Sequence, residues 1–264
     1  MMRGRERPPL LALSLGLVAA LFFVLPLAGL LWRAPWSHVP GDLGAPDVRT
    51  ALRISLEASL AAVALCLLFG LPLAWVLARL EFPGRRLLRA LTVLPMVLPP
   101  VVGGIALINA FGRRGLVGQY LDRWFGITLP FTLKGAILAE AFVAMPFLVI
   151  TAETAFRSLD RSYEDAARTL GANRWTVFRR VTLPLAGPAL IAGTVLCWAR
   201  ALGEFGATIT FAGNYPGTTQ TMPLAVYLSL ESSHPERGIV LSLVLLVVSL
   251  GVLVGLRDRW LGVA

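Results

Sequence analysis

Arg200 and Glu204 stand four residues apart inside an apolar stretch, which puts a cation and a carboxylate on one helix face. Ionisable groups at membrane depth are costly unless they are paired or face water. The pair therefore has two uses. Either Arg200 is an electropositive element of an anion passage, oriented by Glu204, or the pair serves packing, alone or with a neighbouring helix that carries Glu140 or Glu153. A purely intrahelical pair predicts survival of a charge swap. Covalent chemistry has no comparable constellation. Cys66 and Cys197 lie in apolar stretches with no Cys-x-x-Cys spacing and no Cys/His cluster, so neither a disulfide framework nor a metal site is expected. His38 and His234 lie in loops. There is no Gly-x-x-x-x-Gly-Lys-Ser/Thr phosphate loop and no Ser/His/Asp arrangement, so the chain is not expected to hydrolyse ATP or to hold a cofactor.

The second informative stretch is a polar island from Ser158 to Pro188, crowded by Arg157, Arg161, Arg168, Arg174, Arg179 and Arg180. Two short helices are predicted in it. Ser162 and Asp165 have capping-box spacing for a helix over Tyr163 to Leu170, although Asp is not the preferred partner, and Gly171 supplies a left-handed end. Asn173 caps a second helix whose apolar positions Trp175, Phe178 and Val181 recur at helical spacing. Pro184 limits its continuation into the next apolar stretch, or kinks it.

Asp165-Ala166-Ala167, three residues, Gly171, nine residues, Val181, one residue and Leu183-Pro184 resemble the EAA loop in the membrane subunits of ABC-type importers. Asp replaces Glu and Val replaces Ile, and both departures keep charge or shape. The resemblance implies that residues 158–184 form a cytoplasmic coupling helix seated in a groove of an ATPase subunit. Glu164, Asp165, Ala166, Ala167, Leu170, Gly171, Leu183 and Pro184 would be its coupling residues.

The elements that position these groups follow from composition. With 56% hydrophobic residues and a mean hydropathy of +0.73, the 264-residue chain is too apolar for an ordinary soluble domain. A span needs roughly 20 apolar residues, and six stretches qualify. They run from Leu10 to Trp32, Ala51 to Leu80, Leu91 to Phe111, Leu133 to Phe156, Leu185 to Phe211 and Gly238 to Leu256. The fold expected is all-α, a single membrane bundle of six helices over residues 1–264. The first stretch is longer than a signal-peptide core and lacks a clear cleavage site, which predicts an uncleaved helix. Gly70 and Pro72 interrupt the second. Pro95, Pro99, Pro100, Gly103 and Gly104 predict a bent or broken third span, near a pathway or simply kinked. Arg33 to Thr50 and Ala212 to Arg237 read as irregular loops, and Gly112 to Thr132 as a loop with a short surface helix around Tyr120 and Trp124.

The formal charge of +9 is divided among short loops, which argues against a nucleic-acid domain. With the N-terminus inside, the inner segments hold fifteen arginines, including Arg3, Arg5, Arg7, Arg257 and Arg259, against eight basic residues outside. Both termini are thus expected in the cytoplasm, on the same side as the polar island.

The run Arg200 to Thr208, continued by Ala212-Gly213-Asn214 and by Thr219-Gln220-Thr221 to Ala225, is similar to the membrane subunits of molybdate and sulfate importers, and closer to the molybdate branch. Leu94 to Pro100 fits the same branch. What this implies is a multi-pass permease of the plasma (inner) membrane, surrounded by lipid, that passes molybdate delivered by an extracytoplasmic binding protein. It would pair with a second copy of itself and with ATP-binding subunits. Candidate pathway residues are Arg200, Glu204, Pro99, Pro100 and Gly103. A sulfate or thiosulfate permease stays open as the nearer alternative. An autonomous channel or ion-coupled carrier is the more distant one.

Overall fold

Long uninterrupted apolar runs become long helices in the computed structural model, which describes residues 10–232 and 235–260. The basic tail with Arg3, Arg5 and Arg7 lies outside the described residues, as does His234. Every regular element described is helical. The first is α1 (Leu10–Trp32), whose side chains are almost all exposed. Exposure of that much Leu, Val and Phe fits a hydrocarbon solvent rather than water.

After α2 (Val39–Gly44), α3 (Pro46–Leu65) passes through a π-helical turn, Cys66–Gly70, into α4 (Leu71–Arg79). The result is one continuous helix of 34 residues, Pro46–Arg79, about 50 Å long at 1.5 Å per residue. Pro72 does not break it. A proline clashes with the carbonyl four residues back, and the wider i→i+5 turn just before it relieves that clash. The third expected span is two helices, α5 (Arg85–Val97) and α6 (Pro100–Phe111), because Leu98 and Pro99 are both extended.

The loop that follows carries the surface helix α7 (Gly118–Phe125), with Trp124 and Phe125 exposed. Asp122 accepts hydrogen bonds from Arg113 and Thr128 there, and these hold its carboxyl below the usual range. Next comes α8 (Leu133–Ser158), then α9 (Arg161–Thr169) and α10 (Arg174–Val177). A second π turn, Phe178–Thr182, leads into α11 (Leu183–Leu202), giving a continuous 29-residue helix, Arg174–Leu202. The last elements are α12 (Gly206–Ala212), α13 (Met222–Glu231) and α14 (Pro235–Trp260).

Four described helices are long and apolar enough to cross a bilayer: Leu10–Trp32, Pro46–Arg79, Leu133–Ser158 and Arg174–Leu202. The remaining two of the six expected spans correspond to the broken α5–α6 pair and to α14. The fifth span departs from expectation at both ends. It begins eleven residues before Leu185, because the second π turn carries the helix past Pro184, and it stops at Leu202 rather than Phe211. Two segments read as irregular loops also fold into helix. Residues 33–50 contain α2 and the start of α3, while residues 212–237 contain α13. Pro223 fits the first turn of α13, and the Met222 N–H donates to Ser55 Oγ at 2.6 Å.

At the centre lies α8. Ala152 and Ala155 face Ala74, Ala78 and Ala186 on one side, while Ala141 and Ala144 face Ala62 and Ala201 on another. A third side of α8 meets α6 and α12 through Ala139, Val143, Leu107 and Ala207. Lipid tails are as apolar as Leu, so helices here are held by close van der Waals contact, and small residues permit it. The approach between α6 and α12 is close. A Cβ on Gly104 would sit 2.5 Å from Thr210 Cβ and 3.1 Å from the Ala207 carbonyl oxygen.

Gly104→Ala is accordingly expected to force these two helices apart, costing ~1–3 kcal/mol and lowering the melting temperature of the purified protein. Gly29→Ala on α1, where a Cβ meets nothing within 4 Å, should leave the melt unchanged. Equal melts for the two variants would contradict the contact.

Candidate functional site

The polar island folds as a pair of short helices joined by a tight turn. Asp160, not Ser162, caps α9. Its side chain accepts the Ser162 N–H at 2.9 Å, which also holds the Asp160 carboxyl below its ordinary range. The helix accordingly starts at Arg161, two residues earlier than the Ser162–Asp165 spacing predicts. At the other end the Gly171 N–H bonds the Arg168 carbonyl at 2.9 Å, and the Ala172 N–H bonds the Ala167 carbonyl at 3.1 Å. That is a Schellman turn, with Gly171 at φ +86°. Asn173 then caps α10 by accepting the Thr176 N–H at 2.8 Å.

The eight residues singled out for coupling divide into two groups. Asp165, Ala166, Leu170 and Gly171 are exposed, and with Tyr163 and Trp175 they form an outward face; Leu170 is 89% exposed. Ala167 is half-buried beneath it. Glu164 points the other way. It is buried, accepts from Arg79 Nη2 and from Thr182 Oγ1, each at 2.8 Å, and lies 3.8 Å from Arg168. One carboxylate thus ties α9 to the end of α4 and to the π turn that enters α11. Leu183 packs into the core beside Leu190 and Phe156, and Pro184 sits in the first turn of α11. Glu164 is thus turned toward the bundle and the cleft beside Arg79, not outward with Asp165.

A second charge cluster stands nearby. Glu153 on α8 pairs with Arg89 on α5 and with Arg157, while Arg85 Nε donates to the Leu77 carbonyl at 2.9 Å. These bonds close the turn between α4 and α5 and fix the broken span against α8. Neither Arg79 nor Arg89 is marked by a motif. The only signal for them in the sequence is that each lies within a helical turn or two of a span's end, on the arginine-rich side.

The candidate pathway residues come together at a second place. Arg200 Nη2 and Glu204 Oε2 are 2.5 Å apart, with the Glu204 side chain 1% exposed and that of Arg200 28%. Glu204 lies beyond the end of α11, and its Oε1 accepts the Ala207 N–H at 2.8 Å, capping α12. The pair is consequently not intrahelical. Pro100 meets the same break, because a Cβ on Gly206 would fall 2.6 Å from Pro100 Cβ. Gly103 packs on Phe142, whereas Pro99 is exposed. The interruption of the third span and the interruption after α11 thus lie side by side. Glu140 on α8 is fully buried, with Oε2 lacking a partner among the described residues, so it does not pair with Arg200.

A solved bacterial alginate ABC transporter in complex with a pentasaccharide-bound periplasmic protein contains a chain of the same fold. It is 20% identical, with a TM-score of 0.73, covering 96% of this chain and 94% of that one. The fold is that of an ABC-importer membrane subunit. Residues 70–262 match the family described as binding-protein-dependent transport system inner membrane component. This chain belongs to that family. It is a multi-pass inner-membrane component and not itself the ATPase, and its class works with an ATPase and a binding protein. The molybdenum transport system permease protein ModB of Mycobacterium tuberculosis is 46% identical over 92% of this chain and 91% of that protein. The sulfate transport system permease protein CysT of Salmonella typhimurium is 39% identical over 92% and 90%.

A Cβ on Gly171 would meet nothing within 4 Å, so the demand for glycine there is conformational and not steric. Gly171→Val should strain the turn by ~1–2 kcal/mol, displace the outward face and abolish transport while the protein still inserts. Gly171→Asn, which tolerates a left-handed backbone, should retain most transport. Normal substrate-stimulated ATP hydrolysis by the Val variant in the assembled complex would remove this turn from coupling.

Proposed function

We propose that the chain is the permease subunit of an ATP-driven molybdate importer, with six spans, both termini in the cytoplasm and a second copy completing the passage. The observation that carries the mechanism is the continuity of the helix Arg174–Leu202. One rod, about 43 Å long at 1.5 Å per residue, joins the docking turn at one end to Arg200 and the paired breaks at the other. Movement of an ATPase against Asp165, Ala166, Ala167 and Leu170 is thereby delivered to the charged end. Glu164 holds the turn to two spans, Gly171 sets its angle, and Leu183 and Pro184 seat it in the bundle.

At the far end Arg200 is the element that meets the dianion. Its guanidinium is a permanent cation, partly exposed, while the buried Glu204 orients it and keeps it from holding the anion too tightly. Pro99, Pro100 and Gly103 keep the adjoining span broken, and α6 begins there, presenting the positive end of its backbone dipoles. Molybdate is favoured over sulfate by the 46% against 39% identity to the two relatives, over equal shares of this chain. The Thr219-Gln220-Thr221 run is buried and shapes its own loop. Thr219 Oγ1 accepts the Tyr215 N–H and Gln220 donates to Asn214, which leaves the buried Thr221 Oγ1 as the run's one hydroxyl without a partner among the described residues. Selectivity belongs mainly to the binding protein.

Reconstituted with its ATPase and binding protein, the chain should import molybdate only with ATP, and excess sulfate should compete weakly. Preferential sulfate uptake would favour the nearer alternative, and uptake by the chain alone would make it a carrier. The charged pair has its own test. The swap Arg200→Glu with Glu204→Arg should fail, since arginine cannot accept the Ala207 N–H and a buried unmet donor costs ~1–3 kcal/mol. Replacing both residues with Gln keeps an acceptor at position 204 and removes both charges. That protein should melt near wild type yet lose at least roughly ten-fold in uptake, a barrier of about 1.4 kcal/mol. Unchanged uptake would assign the pair to packing.

A further inference from the structure

Between the end of α4 and the two short helices α9 and α10 lies an open cleft of about 640 Å³. Its walls include Trp75, Arg79, Arg161, Arg168, Arg174 and Phe178. Four arginines line it against the single carboxylate of Glu164. That carboxylate is already shared by Arg79 and Thr182, and Arg168 also bonds Asp165 at 3.0 Å. Arg161 and Arg174 have no acidic partner among the described residues. The Arg79 side chain is 8% exposed, and its Nε–H is buried without a partner among the described residues. The cleft thus carries a surplus of fixed positive charge, with one unmet donor buried in its wall.

Besides Asn173 and Thr182, the remaining lining residues are apolar or aromatic. Trp75 and Phe178 meet edge to face at 6.2 Å, and Trp175 stacks on Phe178 at 5.8 Å. Trp75 is one turn inside the end of a membrane-crossing helix, at the level where indole rings sit among headgroups. A cleft that sets four arginines beside two aromatic rings, at the end of a span, matches a ligand that is anionic at one end and oily at the other. We infer that this cleft binds the headgroup of an anionic phospholipid from the cytoplasmic leaflet, with Arg161 and Arg174 on the phosphate. The inference rests on the proposed cytoplasmic position of the polar island, where basic pockets between helix ends meet anionic lipid. Guanidinium groups take phosphate oxygens in bidentate fashion, and phosphatidylglycerol keeps the net negative charge that the choline cation cancels in phosphatidylcholine. Because Arg79 also bonds Glu164, a bound phosphate would bear on the same carboxylate that holds α9 to the bundle.

The assembled complex in nanodiscs of phosphatidylcholine, with and without phosphatidylglycerol, provides the test, read by lipid retention in native mass spectrometry and by uptake in matching liposomes. Wild type should retain phosphatidylglycerol. Arg161→Gln with Arg174→Gln should weaken that retention by roughly thirty-fold, as expected for two arginines at about 1 kcal/mol each. Stimulation of uptake by phosphatidylglycerol should fall in parallel. Equal retention and equal stimulation in both proteins would overturn the proposal. Stimulation by inorganic phosphate in pure phosphatidylcholine would replace the lipid with a soluble anion. If the variant instead sheds its ATPase in either lipid, the cleft is a protein dock. Uptake by wild type in every membrane keeps the transport reading standing whichever of these occurs.

Discussion

Everything in this bundle depends on how closely helices can approach where no water drives them together. In hydrocarbon the association of two helices gains nothing from burying apolar surface, so the contact itself must be good. The alanines of α8, set against alanines of α3, α4 and α11, supply that contact. The same scarcity of water makes an interrupted helix expensive, because freed amides and carbonyls have nowhere to turn. The two interruptions lie side by side, and each limits the number of backbone groups left unmet. The Leu98–Pro99 break uses two prolines that have no N–H to satisfy, and the break at residues 203–205 uses Glu204 to cap the helix that resumes.

Charge is handled by the same economy of partners. Three buried carboxylates, Glu153, Glu164 and Glu204, each hold an arginine, and two of the three also accept a further hydrogen bond from a neighbouring element. Removing one partner of such a group leaves the other buried and uncompensated, which costs more than the pair itself contributes. The Glu164 and Glu204 pairs stand near opposite ends of α11, where transport would require movement, while Glu153 sits beside the alanines of α8. Rigid small-residue packing in the centre with polar hinges at the ends suits a rod that tilts without bending.

Much of this was legible in the sequence because bilayers enforce long apolar runs. The second and fourth spans fall close to the bounds that hydropathy gives, and Gly171, Asn173 and the prolines at 99 and 100 act in the predicted ways. Two of the departures share a tertiary cause. Hydropathy cannot see that α13 is a helix, since Ser55 from a distant span satisfies its first amide and Thr219 to Thr221 are buried by tertiary contact. Nor does residue type reveal which way Glu164 faces. Neighbouring Asp165 has the same charge and the opposite environment, and only the distance to Arg79 separates them. Pro184 misleads for a local reason, because the rule against proline inside a helix assumes α geometry up to the proline, and a π turn is not α.

That pair of π turns has a geometric consequence for the whole chain. Each sits just before a proline, Pro72 or Pro184, and each lies near the end of a long span that reaches the docking region. A π turn accommodates one extra residue, and one residue is about 100° of helical phase. Everything beyond the bulge is therefore rotated relative to the face that packs on α8. Without that rotation, Arg79 would point in another direction along its cylinder and would not meet Thr182 at one carboxylate. The prolines thus act less as breakers than as angular spacers, setting the azimuth at which the two spans present their ends to Glu164.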